Sequence, residues 1–373
     1  MKEMKSNSVM VELENVSKIY GNDRVVDNVS FSVKKGEIFV LIGPSGCGKT
    51  TTLKMINQLI PHSEGKIIVR GEDVTKLDPV ELRRSIGYVI QYIGLLPHLK
   101  IRDNITFVLQ LKKYPKKKQK ERAEELIQTV GLPVSYLDRY PRELSGGQQQ
   151  RVGVARALAA DPEILLMDEP FGAVDPIARG QLQNELLKLQ EAIQKTIIFV
   201  THDMQEAFKL GNRIAIMREG KLVTVGTAME IVKEEDEFVR AFVGRDAIFD
   251  ALDAVPITQI VDRNVPRLFI EEKTKLPEEE FSKKKKWEFV FVIGKNDSCL
   301  GYVNFDELDE KGQIRKEENI FPLPATCLES KASVKKAIEE MLWGGKTWLP
   351  VVDDDNKFLG IVTFEGCVSL MAS

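Results

Sequence analysis

The run Gly43-Pro44-Ser45-Gly46-Cys47-Gly48-Lys49-Thr50 has the spacing G-x-x-x-x-G-K-[ST], which lets a backbone wrap around phosphate. Glycine reaches left-handed angles without steric cost, so Gly43, Gly46 and Gly48 allow successive N–H groups to face phosphate oxygens. Pro44, Ser45, Cys47 and Thr51 complete the cradle. Lys49 then reaches the β- and γ-phosphates of a nucleoside triphosphate, and the Thr50 hydroxyl ligates the Mg²⁺ that bridges them. A second reactive group, Asp168-Glu169-Pro170, closes the apolar run Ile164-Leu-Leu-Met167. Carboxylates at the end of a buried strand are costly unless a cation or water meets them. Asp168 is suited to hold Mg²⁺ through water, and Glu169 to take a proton from the water that attacks the γ-phosphate. A third stretch, Leu144-Ser145-Gly146-Gly147-Gln148, offers backbone amides at a helix start. It is a second anion site in a chain that already has one, which makes sense if it serves another molecule.

These groups need rigid carriers. The apolar run Ile38-Phe-Val-Leu-Ile42 predicts a strand into the glycine loop, and residues 51–57 a helix out of it. Residues 148–160 predict a helix behind the Ser145 turn. Alternating strand and helix patterns over 9–70 and 160–235 predict an α/β core with a largely parallel inner sheet, and residues 92–160 read as helical. Within that stretch Lys112-Lys-Tyr-Pro-Lys-Lys-Lys-Gln-Lys120 reads as a solvated helix entry, with contact to anionic lipid or to a loop of a membrane partner as the other reading. Cys47 reads as a small neutral filler, with redox sensitivity as the alternative.

In this order the motifs resemble those of the ATP-binding subunit of an ABC (ATP-binding-cassette) transporter, over about residues 8–245. The resemblance implies a P-loop NTPase cassette with a RecA-like core and a helical subdomain that docks on the membrane subunit. It implies that Tyr20 stacks on adenine and that Gln91 senses Mg²⁺ and the attacking water. Asp175 would occupy the loop that communicates across a dimer, and His202 would contact the γ-phosphate. Ser145, Gly146, Gly147 and Gln148 would meet the nucleotide held by the opposite protomer, so that two ATPs are buried between two head-to-tail cassettes.

After Gly244 the character changes. Val292-Ile293 and Cys299-Leu-Gly301-Tyr-Val-Asn-Phe305 recur 59 residues later as Val351-Val352 and Phe358-Leu-Gly360-Ile-Val-Thr-Phe364. Each copy reads strand, polar turn, strand, helix. The pair resembles a smaller α/β module of tandem CBS domains, a degenerate copy at about 250–310 and a fuller one at 315–373, a type that commonly senses adenine nucleotides. The family's ribose-binding carboxylate, three residues after a Ser or Thr, has no counterpart here. Position 304 is Asn, and Thr363 is followed at that offset by Gly366. Two readings stay open: a regulator that binds a ligand such as cyclic di-AMP, and a dimerisation appendage without one.

Composition bounds the rest. With 373 residues, 43% hydrophobic and 29% charged, the chain can bury sizeable cores in two or three domains. A net charge of −3 gives no sign of a nucleic-acid binder. No apolar stretch reaches the ~18 residues needed to span a bilayer, and Met1-Lys-Glu-Met-Lys-Ser6 shows no secretory signal, so the chain is expected at the cytoplasmic face of the membrane without being the pore. Four scattered cysteines suit a reducing compartment. A cassette followed by tandem CBS domains most resembles the ATPase subunit of importers for glycine betaine, carnitine, choline and related osmoprotectants. Its implied partners are a second copy, integral permease subunits and an external solute-binding protein. The rival readings are an importer ATPase for another small solute, and a non-transport ABC ATPase acting on ribosomes or DNA.

Overall fold

The first described elements are two long strands, β1 (Val9–Tyr20) and β2 (Asp23–Lys34), which pair antiparallel across a turn at Gly21 and Asn22. The buried strand β3 (Ile38–Ile42) follows, then helix α1 (Lys49–Ile56), β4 (Glu64–Val69), β5 (Glu72–Asp73), α2 (Pro79–Ser85) and β6 (Ile86–Val89). Residues 9–70 therefore do not alternate strand and helix. The first two strands join β4 and β5 in an antiparallel sheet ordered β2-β1-β4-β5. Register shifts along β1 break the two-residue period by which a strand shows itself in sequence. This computed structural model describes residues 8–91, 94–172, 176–244, 247–270, 276, 279–280, 283, 287–294, 297–309, 314, 320–323 and 327–372. They fall into two compact units, Met1–Ala247 and Ile248–Ser373.

Past β6 come three helices, α3 (Ile101–Leu111), α4 (Lys116–Thr129) and α5 (Gly146–Leu158), packed on one another. Lys113 and Lys116 to Lys118 are exposed at the turn between α3 and α4, as a solvated helix entry requires. The chain then returns to the core with β7 (Ile164–Asp168), α6 (Pro176–Ile193), β8 (Thr196–Thr201), α7 (Met204–Leu210), β9 (Arg213–Arg218), β10 (Lys221–Gly226), α8 (Ala228–Val232) and α9 (Glu237–Val243). The second sheet runs β10-β9-β3-β8-β7-β6, with parallel pairing from β9 through β6 and an antiparallel edge at β10. Every residue of β3, β7 and β8 is buried. Strands covered on both faces must be apolar along their whole length, which is why these short runs were legible as strands. Between the two sheets lies a core that includes Val11, Leu13 and Phe31 from the antiparallel sheet, Leu53 and Ile56 from α1, and Leu41, Leu166 and Val200 from the parallel one.

In the second unit the 59-residue repeat is exact in register. β12 (Phe289–Ile293) and β13 (Cys299–Asn304) pair antiparallel with Phe289 opposite Asn304. β15 (Trp348–Val352) and β16 (Phe358–Thr363) pair with Trp348 opposite Thr363, and each pair has its irregularity at the same place. A short parallel strand precedes each copy, β11 (Arg267–Phe269) beside β12 and β14 (Leu328–Glu329) beside β15. The copies differ afterwards. The second continues into a helix, Phe364–Ala372, whereas among the described residues the first continues into a 3₁₀ turn, Phe305–Glu307.

Candidate active site

The glycine loop joins β3 to α1, and its glycines are needed for different reasons. A Cβ on Gly43 would lie 2.1 Å from the Met217 carbonyl oxygen, and one on Gly48, at φ +101°, would lie 2.7 Å from the Val25 oxygen. Gly46 meets no heavy atom within 4 Å, so its φ of +80° is its constraint. Cys47 is 5% exposed, and its backbone oxygen accepts from Gly220 N–H at 3.2 Å. It fills the base of the loop. Helix α1 begins two residues earlier than expected, with Gly48 as its N-cap, which puts Lys49, Thr50 and Thr51 in the first turn. Lys49 is 6% exposed, and its Nζ donates to the carbonyls of Gly43 at 2.7 Å and Pro44 at 3.0 Å. The ammonium is held inside the loop. Pro44 and Ser45 stand exposed at its crest.

Thr50 Oγ1 donates to Asp168 Oδ1 at 2.9 Å. Asp168 ends β7 and is 3% exposed, and burial pushes its pKa up against the Thr50 hydrogen bond and the Lys54 and Lys49 charges. A hydroxyl and a buried carboxylate at this spacing are the hard oxygen donors that Mg²⁺ takes, so the residues present fit that ion. Tyr88, on the neighbouring β6, has its hydroxyl pKa raised by burial and by the Asp168 charge.

Glu169 sits in the left-handed region at φ +45°. Its N–H donates to Val200 O at 2.9 Å, and its carbonyl accepts from Gly172 N–H at 3.1 Å, so the backbone on both sides holds the angle. The carboxylate meets two more of the expected residues. Gln91 Nε2 donates to Glu169 Oε2 at 3.1 Å, and His202 Nδ1 lies 3.3 Å from the same oxygen. Two side chains, from just past β6 and β8, thus converge on one oxygen of the carboxylate that follows β7. A carboxylate so placed can accept a proton from a water that the amide and imidazole help to orient.

Ser145 is the N-cap of α5, which starts at Gly146 and not at Gln148. Ser145 Oγ accepts from Gln148 N–H at 3.4 Å, and Gln148 Oε1 accepts from Ser145 N–H at 3.0 Å. This capping box rigidifies the turn and leaves the Gly146 and Gly147 amides at the helix start. Among the described residues, no hydrogen bond joins Ser145 or Gln148 to the glycine loop, Asp168, Glu169 or His202. Tyr20, at the end of β1, is 47% exposed, with Lys18 Nζ 4.8 Å from its ring centroid. Asp175 lies outside the described residues.

Two supports escaped the sequence reading. Asn104 on α3 is fully buried. Its Nδ2 donates to the carbonyls of Leu96, Leu99 and Lys100, and its Oδ1 accepts from Leu96 N–H, pinning the segment downstream of Gln91. Glu206 on α7 is 5% exposed beneath the His202 turn. Its signal was the spacing Asp203-Met-Gln-Glu206, which suggests a capping box, but the side chain turns inward to Thr201.

The ABC transporter family profile matches residues 26–172, and the CBS domain profile matches residues 322–373. The chain is 44% identical over 368 residues to the glycine betaine/carnitine/choline transport ATP-binding protein OpuCA of Bacillus subtilis, covering 97% of this chain and 96% of that one. It is 41% identical over 373 residues to the osmoprotectant import ATP-binding protein OsmV of Salmonella typhimurium, covering 98% and 97%. Among solved structures it is similar to the dimeric, post-hydrolysis ATP-binding cassette MJ0796 bound to ADP and Pi. That match has a TM-score of 0.54 at 36% identity, over 58% of this chain and 98% of that one. The glycine loop, the carboxylate pair at the end of β7 and relatives matched over nearly their whole length agree: the chain belongs to the ABC transporter family, as an ATP-binding, ATP-hydrolysing subunit.

Proposed function

We propose that this subunit drives import of a quaternary-amine osmoprotectant, working as a pair of cassettes at the cytoplasmic face of the membrane. Separate permease subunits form the path, and an external solute-binding protein delivers the cargo. The observation that carries this reading is that the likeness to OpuCA and OsmV runs through the second unit as well as the cassette. In the hydrolytic step, Lys49 and the glycine-loop amides grip the triphosphate while Tyr20 stacks on the base. Thr50 and Asp168 hold Mg²⁺, assisted by Gln91; the ion, when bound, neutralises phosphate charge. Glu169 takes the proton of a water that Gln91 and His202 orient. Ser145, Gly146, Gly147 and Gln148 of the second copy close over the γ-phosphate, with Asp175 in the loop between the two sites. The dimeric state of the MJ0796 cassette supports that pairing.

The cassette occupies about residues 8–245, with its helical subdomain at 92–160, and the CBS copies lie at 250–310 and 315–373. The module regulates transport, with cyclic di-AMP as its candidate ligand; calorimetry of the full chain with that dinucleotide tests it, and silence would leave dimerisation. The import reading is tested by reconstituting the subunit with its permease and binding protein in liposomes. Glycine betaine, choline or carnitine should stimulate ATP hydrolysis and accumulate inside. If none of them does so while an unrelated solute does, the cargo assignment is wrong.

A further inference from the structure

Glu206 takes no part in the hydrolytic step described above, yet its buried carboxylate is tied to three side chains. Thr201 Oγ1 donates to Glu206 Oε2 at 2.6 Å, and Gln183 Nε2 donates to Oε1 at 3.4 Å. Arg179 Nε lies 3.8 Å from that second oxygen. The carboxylate is buried, which raises its pKa, and burying it has a cost that these partners offset. The same hydroxyl of Thr201 accepts from Asp203 N–H at 3.0 Å. Asp203 Oδ1 caps α7 by accepting from Gln205 and Glu206 N–H at 2.9 and 3.2 Å, and its Oδ2 lies 3.3 Å from Arg179 Nη1. His202 stands between Thr201 and Asp203. Its own side chain is 58% exposed and 3.3 Å from Glu169 Oε2. The Thr201 hydroxyl, held by the Glu206 carboxylate, in turn holds the Asp203 N–H, and the carboxylate is tied to the first turns of α6.

We infer that Glu206 is a positioning residue for His202: through Thr201 and Asp203 it fixes the turn that aims the imidazole at Glu169, and through Gln183 and Arg179 it ties that turn to α6. This rests on the reading of His202 and Glu169 given above. A carboxylate that served only the folding of α7 would affect turnover whether or not His202 were present. A positioning residue acts through the imidazole and loses its effect once the imidazole is gone.

The test is a double-mutant cycle on the full-length protein, with kcat, the Kd for a fluorescent ATP analogue and thermal unfolding measured for each variant. Glu206→Ala should lower kcat about 10-fold or more while leaving Kd within ~3-fold, and should lower it less than ~2-fold further when added to His202→Ala. Glu206→Gln keeps an acceptor for the Thr201 hydroxyl and should recover much of the loss. Equal losses in both backgrounds would overturn the inference, as would an unchanged kcat for Glu206→Ala. Should that variant fail to fold, Thr201→Val, which deletes only the bridging hydroxyl, runs the same cycle under the same criteria. Glu169→Gln stays inactive however the cycle falls. Normal turnover in that variant would instead remove the hydrolytic reading itself.

Discussion

Glycine in place of Glu169 should make the cassette more stable than alanine does, and neither variant should turn over ATP. The reasoning starts from the backbone angle of φ +45°, in a region where an L-residue with a Cβ pays about 1–2 kcal/mol. Bonds to Val200 O at 2.9 Å and from Gly172 N–H at 3.1 Å hold that angle, so it persists when the side chain changes. At an ordinary position glycine is the less stable of the two by roughly 0.5–1 kcal/mol, because its unfolded chain has more freedom to lose. At residue 169 the steric term outweighs that entropy, and a net of about 1 kcal/mol should favour glycine. For a domain of this size that is roughly 2–4 °C in Tm. Urea titration of both variants, following the cassette transition at matched slope, is the assay. Glutamine at 169 keeps the angle and its cost and should fall near alanine. If alanine equals or exceeds glycine, Glu169 is not strained, and the turn was not bent to aim a catalytic group.

Three further outcomes are expected. Glu169→Gln should bind ATP and trap the closed pair but lose at least ~10²-fold in kcat, measured by phosphate release. Lys49→Ala removes the cation held inside the glycine loop and should weaken nucleotide binding by about 1.5–3 kcal/mol, near 10- to 100-fold in Kd by titration calorimetry. Ser145→Arg should leave ATP binding to the isolated subunit unchanged yet prevent ATP-dependent dimerisation of the Glu169→Gln background in size-exclusion chromatography; normal closure would contradict a shared site.

The site was legible because its residues sit where two periodicities meet. Buried parallel strands leave continuous apolar runs, and each of these expected site residues follows one: Gly43 after β3, Gln91 just past β6, Glu169 after β7 and His202 after β8. Helix starts were less legible. Gly48 and Ser145 belong to motifs with a chemical reading, and both helices start two residues before the expected positions, with these residues as their N-caps. Asn104 and Glu206 went unread for a different reason. A buried polar side chain is defined by partners distant in sequence or hidden in an adjacent turn, and hydrophobic periodicity records neither.

The second unit shows how much a repeat reveals and where it stops. The offset of 59 residues located β12, β13, β15 and β16, but not what holds the copies together. Tyr302 of the first copy exchanges backbone hydrogen bonds with Phe321, which precedes β14 of the second. Ile361 of the second exchanges them with Asp262, which precedes β11 of the first. Asp262 and Phe321 are themselves 59 residues apart, so each copy takes its edge pairing from the residues ahead of the other's first strand. The glycines of the repeated motif now have a physical reason. A Cβ on Gly301 would lie 2.4 Å from Phe321 O, and one on Gly360 would lie 2.3 Å from Asp262 O. Both positions must be glycine for the crossed strands to approach, and a backbone contact is hard to relax away. The repeated Leu-Gly therefore marks an interlock between the copies. The unit should unfold as one cooperative block and not copy by copy.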